Sequence, residues 1–153
     1  DADLDYATEA IIGAGYGAAG ERCMALSAIV AVGDVGDALV QKLAARSRTV
    51  TTGPGDQADI EMGPVITCAS RDRIAGLIDK GVSEGAKLVV DGRAPSIAGG
   101  ENGFFVGPTL FDNVDTKMSI YREEIFGPVL GVTRVDSLND AIAVLEKRHA
   151  PKH

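Results

Sequence analysis

The chain predicts an α/β fold, with a mainly parallel sheet covered by helices. Apolar residues recur at helical spacing in several stretches. Between them lie short apolar runs, partly β-branched and closed by turn residues. The helical stretches are long enough for the crossovers that parallel strands need. Size and composition agree. The 153 residues, 45% hydrophobic and 24% charged, suffice for one domain with a sizeable core and argue against wholesale disorder.

Asp3 to about Gly17 reads as a first helix, with Leu4, Ala7, Ile11 and Ile12 at helical spacing and Asp1, Asp3 and Asp5 suited to its N-terminal turn. Glycines from Gly13 to Gly20 blur its end. Cys23 then falls on a turn. Ser27 to Val32 is a short buried strand closed by Gly33-Asp34, and Asp37 to about Arg46 is a second helix with Leu39, Val40 and Leu43 on one face. Thr51 to Pro64 carries the turn residues of a surface loop. Thr67 caps a third helix, whose stripe is Ile74, Leu77 and Ile78 and whose stop is Gly81 or Gly85. Ala86 to Val90 is a strand, and 94–103 is a polar connection. Phe104 to Val114, broken by Gly107-Pro108, reads as edge strand or coil. Glu123 to Pro128 is a turn and Val129 to Val135 a strand. Ser137 caps the last helix, with an apolar face of Leu138, Ile142 and Leu145.

The totals exclude several classes. A formal net charge of −7 without a basic cluster argues against a nucleic-acid partner. Two cysteines, Cys23 and Cys68, cannot staple a disulfide scaffold. With only His149 and His153 beside them, no metal site is expected. A reducing, cytoplasmic setting fits this usage. No apolar run nears the roughly 20 residues that cross a bilayer, so no membrane partner is expected, and no signal peptide opens the chain. The chain starts at Asp1 and closes on HAPKH without a helix ending. Both ends read as cut, and a piece of a longer protein is expected.

One stretch concentrates the chemistry: Gly13 to Ala25, GAGYGAAGERCMA. It places the thiol of Cys23 directly after the guanidinium of Arg22, which favours thiolate. It also spells G-x-G-x-x-G at Gly15, Gly17 and Gly20, with Asp34 near the offset of a ribose carboxylate. The dinucleotide reading is weak. Only six residues separate Gly20 from the Ser27 strand, too few for a crossover helix, and the preceding segment is helical in pattern. On the residues alone, Cys23 reads as a nucleophile or as an inert buried thiol. Cys68, near a helix start, is its rival.

GERCMALSAIVAVGD, DIEMGPVIT, GFFVGPTLFDNV and YREEIFGPV, in this order and spacing, resemble the aldehyde dehydrogenase superfamily from Asp1 to about Leu145. The resemblance implies a layered αβα catalytic domain. It also implies that the dinucleotide-binding domain and the oligomerising strand lie outside these 153 residues, that the complete protein is a homo-oligomer, and that this piece alone lacks dehydrogenase activity.

The resemblance further implies that Cys23 attacks the aldehyde carbon, that hydride passes to the nicotinamide of NAD, and that a thioester remains. The backbone N–H of Cys23 would form part of the oxyanion hole. Glu124, the second acid of EEIFGP, matches the carboxylate that accepts the ribose hydroxyls, and Phe126 the aromatic beside the nicotinamide. By themselves these two read as a surface acid and a core aromatic. The ERC triplet is similar to the methylmalonate-semialdehyde, CoA-acylating branch. There Arg22 would read the substrate carboxylate and coenzyme A would take the acyl group. A hydrolytic relative and a non-catalytic dinucleotide-binding module are the alternatives.

Overall fold

The computed structural model describes residues 2–100 and 102–149, with the side chains of the last helix described as far as Glu146. The expectations drawn on Asp1, the two histidine side chains and the closing HAPKH segment lie outside the described residues. Helix α1 spans Leu4–Tyr16. Its N-cap is Asp3, whose Oδ1 accepts the N–H groups of Asp5 and Tyr6 at 3.0 and 3.1 Å. A tight turn over Gly17–Gly20 follows, with Ala18 and Ala19 at φ of 51° and 54°. Strand β1 (Ala28–Val32) and helix α2 (Val35–Ser47) come next. Helix α3 (Cys68–Ser83) starts at its Thr67 cap, whose hydroxyl accepts the Ser70 N–H at 3.0 Å. It runs through Gly81, and Gly85 at φ 97° lies beyond its end. Strands β2 (Lys87–Val90) and β3 (Thr109–Asp112), the short helix α4 (Ser119–Arg122), strand β4 (Val129–Val135) and helix α5 (Leu138–His149) complete the order.

The strands make one sheet in the order β1-β4-β3-β2. The β1/β4 and β3/β4 pairs are parallel, and β2 joins β3 antiparallel at the edge. Helices cover both faces. Leu130 lies under Gly15 of α1, whereas Phe111 lies against Gly81 of α3. Leu110 pairs with Leu130 and Phe111 with Gly131, and successive side chains alternate, so α1 and α3 sit on opposite faces. The layered αβα, mainly parallel architecture expected from the sequence is therefore present.

Two expectations need correction. Residues Thr109–Asp112 form an interior strand, wholly buried, where an edge strand or coil was expected. Pro108 does not interrupt the ladder because it stands one residue before it. The first ladder donor is the Thr109 N–H, 2.9 Å from the Pro128 carbonyl. In α5, Leu138, Ile142 and Leu145 are 68%, 45% and 50% exposed. The helix instead turns Ala141 and Val144 inward. The period was read from the largest apolar residues, and the small one takes the close approach.

Polar groups tie the layers. Arg134 of β4 holds Asp112 of β3 bidentately at 2.9 Å through both arms and also pairs with Asp37 of α2. Tyr16, 2% exposed, donates to the Thr109 carbonyl at 3.0 Å and meets Ser47 Oγ at 3.1 Å. Burial pushes its phenol far above the ordinary range, against the opposing bond with Ser47. The folded phenol therefore stays neutral after the unfolded one begins to ionise near pH 10. The stability it supplies is complete below that pH and is lost as pH rises towards its folded value. Tyr16→Phe is expected to cost about 1–3 kcal/mol at neutral pH and to flatten the alkaline fall in stability. Urea unfolding of the complete protein at pH 7 and above pH 10 checks both.

Candidate active site

The Gly17–Gly20 turn and a second turn bring Cys23 out of the fold. The Ala25 N–H closes on the Arg22 carbonyl at 3.0 Å, so Cys23 occupies the tip. The Leu26 N–H returns to the Ala14 carbonyl at 3.1 Å and anchors the exit to α1. Cys23 is exposed among the described residues, at the surface of the fold.

The three glycines of the dinucleotide-like pattern each have a packing reason. Gly15 is helical, and a Cβ there would stand 2.6 Å from Leu130. A Cβ at Gly17 would stand 2.6 Å from the Arg22 guanidinium, which folds back over it. Gly20 has φ 69°, and its Cβ would lie 2.2 Å from the Gly127 carbonyl oxygen. A helix precedes this pattern, and the strand–loop–helix that a phosphate loop requires is absent among the described residues of this stretch. Asp34 instead heads α2.

The close approach of Gly20 to Gly127 joins two remote loops. Cys23 and Glu124 are 101 positions apart (124 − 23). Yet Arg22, Cys23, Glu124 and Phe126 line one cleft of about 360 Å³, together with Arg122 and Ser27. All four sequence candidates thus meet. Glu124 is exposed. Phe126 is 37% exposed and takes φ 49°, a region that bulky residues rarely adopt. Such a conformation costs on the order of 1–3 kcal/mol and persists only where the surroundings hold it.

Cys68 lies elsewhere. It opens α3, with Sγ 3.1 Å from Arg71 Nη2 and 3.5 Å from Asp72 Oδ2. A larger hollow of about 560 Å³ lies between Arg71, Arg93 and the 94–105 connection. Its Arg93 is already paired with Asp91 and Asp79. No group of three or more metal-ligating side chains is present among the described residues. No described helix is long and apolar enough to cross a membrane.

Sequence reasoning missed two residues behind the cleft. Arg73 donates to the backbone carbonyls of Glu124, at 3.3 Å, and Ile125. Glu21 accepts the Ile66 N–H on Oε2 at 3.0 Å, while its buried Oε1 has no hydrogen-bond partner among the described residues. Burial raises the Glu21 carboxyl above its usual range, opposed by the Ile66 N–H and the Arg73 charge. Arg73 is one of two arginines in an RDR run on a polar helix face, and no spacing separates it from a solvated charge.

Comparison with known proteins identifies the fold. The profile of the aldehyde dehydrogenase family matches residues 1–149. The chain belongs to that family. A malonate-semialdehyde dehydrogenase of Pseudomonas aeruginosa is 53% identical over 146 residues, which cover 95% of this chain and 29% of that protein. A Drosophila melanogaster protein named "Probable methylmalonate-semialdehyde/malonate-semialdehyde dehydrogenase [acylating], mitochondrial" is 46% identical, covering 95% and 28% respectively. The crystal structure of methylmalonate-semialdehyde dehydrogenase from Oceanimonas doudoroffii superposes with a TM-score of 0.92 at 48% identity, over 94% of this chain and 30% of that one. An aldehyde dehydrogenase of Mycobacterium tuberculosis, solved with NAD+, gives 0.88 at 38% identity, over 94% and 29%. The chain thus spans about 30% of the length of the relatives it matches.

Proposed function

We propose that these residues carry the nucleophile and part of the cofactor-contacting surface of an NAD-dependent, CoA-acylating dehydrogenase acting on malonate or methylmalonate semialdehyde. The supporting observation is the cleft that gathers Arg22, Cys23, Glu124 and Phe126 from two remote loops. Two of the relatives named above carry this substrate class in their names, and the word acylating in one of those names fits coenzyme A as acceptor.

Each residue has chemistry suited to its part. Cys23 is exposed at a turn tip, so its sulfur can reach an aldehyde carbon and form a thiohemiacetal, then hold the acyl group as a thioester. Arg22 lines the same cleft, and its planar fork of donors matches a carboxylate. A semialdehyde that also carries a carboxylate presents both groups within one small molecule. In this reading the Cys23 backbone N–H donates to the oxyanion that forms next to the sulfur.

The residues fit NAD. Glu124 offers an open carboxylate that can accept two ribose hydroxyl protons, and Phe126 offers a part-exposed ring for an aromatic cofactor head. Bound NAD supplies the hydride acceptor. The chain's own task is to hold the reacting carbon on Cys23, in the cleft that Glu124 and Phe126 also line.

Coenzyme A as acyl acceptor is tested by aldehyde oxidation in the complete enzyme with and without CoA. Steady-state turnover should depend on CoA, with only a single-turnover burst in its absence. Equal steady-state rates without CoA would identify a hydrolytic enzyme.

A further inference from the structure

Side chains of helix α3 fasten the loop that carries Glu124 and Phe126. Arg73 of α3 donates to the carbonyls of Glu124 and Ile125. Lys80, two turns on, pairs with Glu123 at 3.0 Å. Ile74, fully buried, fills the space beside Gly127, where a Cβ would meet it at 2.6 Å. Contacts from α3 therefore reach positions 123, 124, 125 and 127 and bracket Phe126.

The segment that leads into the same helix also holds the nucleophile turn. Ile66, just ahead of the Thr67 cap, gives its N–H to Glu21, and Glu21 is two residues before Cys23. The Arg73 charge acts on that Glu21 carboxylate. Arg73 is thus hydrogen-bonded to one loop, and its charge favours the ionised Glu21 carboxylate of the other.

We infer that Arg73 is a positioning residue, which holds the Glu124–Phe126 loop in place on the cleft that it shares with Cys23. The geometry explains why the strained backbone at Phe126 is tolerated. The carbonyl just before it, that of Ile125, is clamped by a guanidinium, so the peptide plane cannot rotate freely. A guanidinium suits this task because one rigid fork can span two successive carbonyls, whereas an ammonium supplies a point charge on a flexible stem. Lys80 and Ile74 hold the flanks but do not reach the backbone on either side of the Ile125 peptide. The inference rests on the functional reading above, in which Glu124 and Phe126 contact the cofactor.

The test uses the complete enzyme with Arg73→Gln and Arg73→Lys. NAD dissociation constants are measured directly by titration, beside steady-state KM values for NAD and for the semialdehyde. Hydrogen bonds from a charged donor predict that Arg73→Gln weakens NAD by about tenfold or more. Arg73→Lys should recover part of that loss. The semialdehyde KM should move less than about twofold, because the hydrogen bonds that hold the nucleophile turn come from Ile66, Ala14 and the turn itself and not from Arg73. A residue that merely stabilises the fold would lower the melting temperature and leave NAD affinity unchanged in the folded protein. That result, in either variant, overturns the inference, and Arg73→Lys provides it should Arg73→Gln fail to fold. A parallel Glu124→Gln variant separates this inference from the functional reading. If Glu124→Gln binds NAD as tightly as the unaltered enzyme the functional reading fails, whereas NAD weakened by Glu124→Gln but not by the Arg73 variants overturns this inference alone.

Discussion

Replacing Cys23 by alanine in the complete enzyme is expected to lower aldehyde oxidation by about 10⁴-fold or more, the scale seen when a covalent nucleophile is removed. Alanine has no lone pair to offer the carbonyl carbon, and the described part of the cleft supplies no second thiol. Cys68 cannot substitute. It sits at the head of α3, outside the cleft, engaged with Arg71 and Asp72. The variant should fold normally. Cys23 is exposed at a turn tip, so truncation leaves no cavity and costs little stability. Initial rates with saturating NAD and CoA, beside a melting curve, separate lost chemistry from lost fold. Cys68→Ala in the same assay should retain most of the activity.

The second large effect is expected at Gly20. Its φ of 69° already disfavours any side chain by on the order of 1–2 kcal/mol. An added Cβ would also lie 2.2 Å from the Gly127 oxygen and 2.9 Å from the Pro128 nitrogen. These are backbone atoms and cannot swing aside as a side chain would. Either loop must shift, and both carry candidate site residues. Gly20→Ala should therefore destabilise the protein by about 2–4 kcal/mol, combining backbone strain with overpacking. It should also lower kcat/KM by about 10²-fold, since a shift near 1 Å is enough to misplace a nucleophile. Gly13→Ala, at a position with open space around it, is the matched control and should leave both nearly unchanged. Denaturant unfolding and steady-state kinetics on the two variants check the contrast.

Much of this architecture was legible in the chain. Asp3, Thr67 and Ser137 announce their helices because their side-chain oxygens satisfy first-turn N–H groups, a local interaction that sequence alone encodes. Ile74 and Ile78 mark the buried stripe of α3 because helical spacing places them on one face. What failed depended on partners remote in sequence. The burial of Thr109–Asp112 comes from flanking strands and from helices on both faces, none of them visible from Gly107-Pro108. The inward face of α5 was hidden because Ala141 carries so little apolar surface beside Leu138 and Ile142.

The site divides in the same way. Cys23 and Arg22 stand together in sequence, so a thiol beside a guanidinium could be read locally, whereas the nucleophile and carboxylate-reading roles entered through resemblance to a family. Glu124 and Phe126 carried no signal from spacing and entered through resemblance to a family. Arg73 and Glu21 were invisible, because each acts through contacts with segments 45 or more positions away. The left-handed backbone at Phe126 was equally hidden, since nothing in EEIFGP marks a bulky residue for that conformation.

The central claim is that Cys23 bears the acyl group during turnover. It is tested most directly by mixing the complete enzyme with NAD and malonate semialdehyde without CoA, quenching in acid within one turnover, and mapping the modified peptide by mass spectrometry. The added acyl mass should lie on the peptide bearing Cys23 and disappear when CoA is supplied before the quench. An acyl mass on Cys68 or any other residue, with Cys23 unmodified throughout, would contradict the account.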